Sequence, residues 1–174
     1  MLSNAVLEEK AQSRHIRAPF TRTSGRLAML LREILQSKGT LVHTIDASDS
    51  LENVVQELVR HNCGSLVVYD SQSKSRRMVG IITERDILRA CASRHAALSE
   101  LRVSEAMTRN VVVGAPHDSI EDTMGIMTNR RIRHLPVVDD DELIGLISIG
   151  DIVKTQHDRL TMENHYLKNY LHSS

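Results

Sequence analysis

From Leu51 the apolar residues Leu51, Val54, Val55, Leu58 and Val59 fall at i, i+3, i+4, i+7 and i+8, the spacing of one buried helical face. At an offset of 69 residues, Ile120, Thr123, Met124, Met127 and Thr128 take the same places. Each run opens on the same tetrad, Asp49-Ser50-Leu51-Glu52 and Asp118-Ser119-Ile120-Glu121, so the chain is internally duplicated. A duplication fixes the architecture before any single residue is interpreted. The same offset carries Gly64-Ser65-Leu66-Val67-Val68-Tyr69-Asp70 onto Arg133-His134-Leu135-Pro136-Val137-Val138-Asp139, each a short apolar strand ending on an acid. The segment Gly80 to Asp86 matches Gly145 to Asp151 at an offset of 65, so a hairpin loop is four residues longer in the first half. That loop, Ser71 to Arg77, is polar and basic, whereas Asp140 to Glu142 is short and acidic.

Each half reads strand, helix, strand, hairpin, strand, helix, with Leu41 to Ile45 and Val111 to Val113 as opening strands. The unit is β-α-β-β-α. A strand-helix-strand crossover favours parallel pairing and a short hairpin demands antiparallel pairing, which predicts the α/β class with a small mixed sheet in each half. Two such halves packed about a pseudo-twofold axis would cover both sheets and leave clefts where they meet. The predicted organisation is an N-terminal arm or helix over 1–30, a first repeat over 31–92, a linker over 93–102, a second repeat over 103–157 and a C-terminal helical extension over 158–174. Short helical leads, Leu31 to Leu35 and Val103 to Met107, precede the repeats. In the extension Ile152, Gln156, Leu160, Glu163, Leu167 and Leu171 step by three or four, a partly apolar stripe suited to its own domain or to a second subunit.

Composition narrows the function classes. Lys+Arg and Asp+Glu both total 22, so no global field favours nucleic acid or a membrane surface. Phe20, Tyr69, Tyr166 and Tyr170 are too few and too scattered for a platform on which single-stranded nucleic acid stacks. Cys63 and Cys91 match no metal or redox spacing and suggest a reducing compartment. No apolar run approaches the roughly 18 to 20 residues that span a bilayer, and no secretory h-region opens the chain. A soluble, cytoplasmic protein is expected. The alternative is mitochondrial: Ala11 to Arg32 carries Arg14, Arg17, Arg22, Arg26 and Arg32 with no acid, like a transit peptide, although Glu8 and Glu9 oppose that reading. None of the nine histidines pairs with a carboxylate or thiolate in a ligating arrangement, so no metal is expected. No phosphate-cradling glycine loop or nucleophile elbow is present, and no catalytic residue or enzymatic activity is expected.

Two copies of Gly-hydrophobic-hydrophobic-Thr/Ser-x-x-Asp, each after a hydrophobic strand and a Ser-Leu or Ser-Ile helix start, resemble tandem cystathionine-β-synthase-type (CBS) domains, the pair called a Bateman module. The resemblance covers about residues 31–157 and is closest at Ile81 to Asp86 and Ile132 to Val138. Asn169-Tyr170-Leu171 is similar to the ending of a plant and bacterial subgroup of such pairs. The resemblance implies a regulatory sensor that binds an adenosine-containing ligand in the clefts between repeats: AMP first, or ADP, ATP, NADH or S-adenosylmethionine. It also implies a homodimer of two modules in a flat disc, with a regulated protein partner.

In ligand-binding members the hydroxyl and the acid of the Thr/Ser-x-x-Asp motif face the cleft together, which points to Thr83 with Asp86 and Ser148 with Asp151. The carboxylate can accept from both ribose hydroxyls, while the hydroxyl and the open N–H groups of the helix start suit a phosphate oxygen. The same pattern is nearly a capping box and stabilises a helix with no ligand at all. Arg85 opposes the helix dipole from the first turn, so a nearby anion would explain its placement; Gly150 stands there in the second half. The resemblance turns Arg131 or Arg133, with His134, towards phosphate, and His61 to Ser65 in the first half is far less cationic, so unequal clefts are expected. Pro136 and Val67 would form an apolar wall, and Thr44, Ile45, Val113 and Gly114 would offer backbone groups to the adenine edge. The chain departs from the family at Ala47, where Pro is common as at Pro116, and at Gly114, where a β-branched residue is usual. The alternative function is a ligand-free oligomerisation or protein-interaction module in which these pairs only cap helices.

Overall fold

A computed structural model describes residues 16–17, 28–72, 77–93 and 96–172. Most of the expected N-terminal arm, with Arg14, Arg22 and Arg26 of the arginine-rich segment, lies outside the described residues. The elements in chain order are β1 (Ile16–Arg17), α1 (Leu31–Lys38), β2 (Thr44–Asp46), α2 (Leu51–His61), β3 (Ser65–Tyr69), β4 (Met78–Thr83), α3 (Glu84–Ser93), α4 (Val103–Ala106), β5 (Val112–Val113), α5 (Ile120–Arg130), β6 (His134–Asp139), β7 (Glu142–Ser148) and α6 (Ile149–His172). They form two compact units, Leu41–Val113 with Met1–Arg17, and Gly114–Ser174 with Ala18–Thr40.

The first unit holds the predicted mixed sheet, ordered β2-β3-β4, with β2 parallel and β4 antiparallel to β3. Leu51, Val54 and Leu58 of α2 bury against Leu66, Val68 and Ile82 of the sheet and Ile87 of α3. Of the other two residues the periodicity assigned to this face, Val55 is half-buried and Val59 is 75% exposed, so the buried stripe is narrower than predicted. The second unit repeats the β6-β7 hairpin, but its opening strand is reduced to one parallel bridge, Gly114 to Val137. The valines just before that bridge, in β5, instead pair in parallel with β1.

The duplication extends to the backbone. Ser50 and Ser119 cap α2 and α5 by accepting from the N–H of Asn53 at 3.2 Å and of Asp122 at 3.1 Å. Asn62 and Arg131 end those helices in the left-handed region, at φ 47° and 55°, and donate back to the last carbonyls. Both hairpins carry a register irregularity at the same place, Val68/Tyr69 and Val137/Val138. The short second loop turns on Asp140 and Asp141, both at positive φ (44° and 65°), the geometry of a two-residue hairpin turn matched to strand twist.

The sequence boundaries assign each helical lead to the repeat it precedes; the structure assigns each to the unit built on the other repeat. Leu31 N–H donates to Asp118 O, and the equivalent Val103 N–H donates to Asp49 O. The glycines of the two motifs account for the exchange. A Cβ on Gly145 would lie 2.5 Å from Leu35 Cδ2 and one on Gly80 would lie 2.7 Å from Met107 Sδ, so each missing side chain makes room for a lead.

Candidate functional site

Both hydroxyl–acid pairs sit where a β-strand hands over to a helix. In the first unit Thr83 ends β4 and Asp86 lies in the first turn of α3. Asp86 Oδ2 accepts from Thr83 N–H at 2.9 Å and from its hydroxyl at 2.7 Å, and the carboxylate is 7% exposed. Arg89 approaches the other oxygen, Oδ1, at 3.7 Å. In the second unit Asp151 Oδ2 accepts from Ser148 N–H at 2.7 Å and its hydroxyl at 2.8 Å, and Asp151 N–H donates back to the Ser148 hydroxyl at 3.2 Å. The reciprocal bonds satisfy open donors at the start of the helix, which is the capping chemistry expected of the pattern. Each repeat thus presents a hydroxyl and a carboxylate at a helix N-terminus, held in one geometry.

The two units differ in how closely a cation approaches the acid. Lys38, at the end of α1, donates to Asp151 Oδ2 at 2.6 Å and to the Leu146 carbonyl at 2.8 Å. Burial by itself would raise the Asp151 carboxyl, but the Lys38 bond and charge and the Ser148 bonds outweigh it and hold the group below the ordinary carboxylate range. Sequence reasoning missed Lys38. It lies 113 residues from its partner, on a lead assigned to the other repeat, so no local spacing announces it.

The remaining predicted residues are dispersed. Arg85 is exposed in the first turn of α3. Arg131 is exposed and serves the backbone as the left-handed cap of α5. Arg133 is exposed, and its carbonyl accepts the Ile149 N–H that starts α6 at 2.9 Å. His134 is half-buried and pairs with Ser148 across the hairpin, and Pro136 is buried opposite Leu146. Val113 and Gly114 are buried; Gly114 donates to Pro136 O at 3.0 Å and accepts from Val138 N–H at 2.9 Å, so both of its backbone groups serve the bridge to β6. Its missing side chain also has a packing cause, because a Cβ there would lie 2.8 Å from Leu135 Cδ2 and 2.9 Å from Leu31 Cδ1.

Thr44 and Ile45 line a cavity of about 830 Å³ in the first unit, with Asp46, Asp49, Glu57 and Asp70 among its other walls. Bonds from the Ser48 hydroxyl and N–H and from Ser71 hold the Asp46 carboxyl well below its ordinary range, so the wall stays negative. Such a lining repels phosphate, and Thr83 and Asp86 are not part of it. Among the described residues no helix is long and apolar enough to cross a membrane, and no cluster of three His, Cys, Asp or Glu could hold a metal.

A CBS domain model matches residues 40–93 and again residues 103–158. The chain is 33% identical over 139 residues to the mitochondrial CBS domain-containing protein CBSX3 of Arabidopsis thaliana, over 75% of this chain and 66% of that protein. A solved CBS-domain protein of Agrobacterium tumefaciens shares 38% identity at a TM-score of 0.69, over 74% of this chain and 99% of its own. The CBS domain pair of protein MJ0100, solved in complex with 5′-methylthioadenosine and S-adenosyl-L-methionine, shares 27% identity at a TM-score of 0.63, over 76% of this chain and 98% of its own.

Proposed function

The chain belongs to the CBS-domain family, and from that premise we propose that it is a regulatory module, with no chemistry of its own, that holds an adenosine-containing small molecule at the helix starts of its repeats. The observation that carries the proposal is the paired hydroxyl and carboxylate at the start of α3 and again of α6. A carboxylate there can accept from two ribose hydroxyls while helix N–H groups face a phosphate. The adenosine-type ligands of the MJ0100 pair support this ligand class. AMP is the first candidate, followed by ADP, ATP, NADH and S-adenosylmethionine. Arg85, Arg131, Arg133 and His134 are the proposed phosphate partners, Pro136 the apolar wall, and Thr44, Ile45 and Val113 the adenine edge, whereas the backbone groups of Gly114 are already paired with β6. In the second unit the ribose competes with Lys38 for Asp151, and the released ammonium becomes available to phosphate. The occupied state is read by a protein partner or by the chain's own homodimer, and only a ligand that binds the two states with different affinity shifts their balance.

One observation favours a second reading, a ligand-free interaction module. Thr83 with Asp86 and Ser148 with Asp151 already satisfy one another without any ligand. A variant carrying Asp86→Asn and Asp151→Asn separates the two, because Asn keeps an oxygen for the cap and loses the charge that grips a ribose. Melting curves with the nucleotide panel should show stabilisation following RT ln(1 + [L]/Kd), about 2.7 kcal/mol at roughly a hundred times Kd. Without ligand the double variant should melt below the native chain by no more than the Lys38–Asp151 contact contributes, about 1–2 kcal/mol, and it should lose that gain. An unmoved melting temperature across the panel at millimolar ligand would leave the ligand-free reading standing.

A further inference from the structure

The C-terminal half of α6 carries apolar side chains that the described residues leave uncovered. Every residue from Leu160 to Tyr170 is exposed, whereas Ile152 near the helix start is fully buried. A lone helical segment of this length is marginal in water, so its apolar stripe calls for a partner. Val153, Leu160 and Leu167 recur every seven residues and are 57%, 57% and 62% exposed. A strict seven-residue spacing keeps one seam facing an identical helix when two helices wind around each other. His157 and Asn164 follow Val153 and Leu160 by four residues and occupy the second seam position. A polar residue such as Asn there costs stability and specifies register and strand number.

We propose that α6 pairs in parallel and in register with α6 of a second copy of this chain, as a short two-stranded coiled coil. Charge sets the direction. In the parallel pair Glu163 faces Lys168 of the partner subunit, and symmetry repeats the contact. In an antiparallel pair on the same seam, Lys154 would oppose Lys168 of the partner subunit and Glu163 would oppose its own copy, like against like in both places. Glu163 Oε1 accepts from Arg159 Nε at 3.1 Å within the helix, an arrangement compatible with a second cation at Oε2. The inference rests on the outer face of α6 and stands apart from the ligand reading.

Site-directed crosslinking tests it. Cys63 and Cys91 are free thiols, so Leu167→Cys is placed in a Cys63→Ala, Cys91→Ala chain, where position 167 supplies the only thiol. Because residue 167 is exposed within its own chain, the variant should keep the far-ultraviolet circular dichroism of its background. Mild oxidation at micromolar chain should convert most of it to a disulfide-linked dimer on a non-reducing gel. Adding Glu163→Lys should slow that conversion at least severalfold, and Glu163→Lys with Lys168→Glu should restore it. A chain that stays monomeric on the oxidised gel overturns the proposal. So does crosslinking that appears only when Leu167→Cys chains are mixed with His157→Cys chains, the antiparallel result.

Discussion

Replacing Lys38 with methionine keeps most of the side-chain length and removes the ammonium that bonds Asp151 Oδ2 at 2.6 Å and Leu146 O at 2.8 Å. Exposed ion pairs contribute about 0–1 kcal/mol and hydrogen bonds to charged groups about 1.5–3 kcal/mol. The two side chains are 31% and 26% exposed, which places this contact between those limits, at about 1–2 kcal/mol. For a chain of this size that lowers the melting temperature by about 2–8 °C. The effect depends on pH in a definite direction. Asp151 is depressed in the folded state, so the stability it contributes is complete above the unfolded carboxylate value near ~3.9 and is lost as pH falls through the lower folded value. Urea denaturation of the native and Lys38→Met chains should therefore show a gap at neutral pH that narrows towards the acid transition. No gap at neutral pH, or one of equal size throughout the acid range, would refute the Lys38–Asp151 contact as a source of stability.

Two packing predictions accompany it. Thr123 is fully buried in α5 with no hydrogen-bond partner for its hydroxyl, where the first repeat has the buried Val54; Thr123→Val should stabilise the chain by about 1 kcal/mol in chemical denaturation, and destabilisation would mean that the hydroxyl is satisfied. Gly114→Ala should cost about 1–3 kcal/mol because its Cβ meets Leu135 and Leu31, and an unchanged denaturation midpoint would contradict that packing.

The repeat was legible because packing imposes the same demands twice. The i, i+3, i+7 positions of α2 and α5, the serine caps and the two hairpins are local patterns and occupy their expected places, whereas Val59, Met124 and Thr128 of the same predicted faces are exposed. The opening strands were harder to place. Leu41 is 78% exposed and precedes β2, and the apolar pair Val112–Val113 pairs with β1, whose partner segment announced nothing by periodicity. The exchange of leads was invisible because it is decided by tertiary packing of Leu35 over Gly145 and Met107 over Gly80, not by spacing along the chain. The hydroxyl–acid pairs were legible as pairs, but Lys38 reaches Asp151 only through that exchange.

The proposed function requires that the helix starts of α3 and α6 grip an adenosine-type ligand through Asp86 and Asp151. Isothermal titration calorimetry of the native chain with AMP and then the rest of the panel tests it most directly. A saturable heat is expected for at least one compound, abolished when both aspartates are replaced by asparagine in a chain whose circular dichroism is unchanged. Flat titrations with every compound, or undiminished binding by the doubly substituted chain, would contradict it.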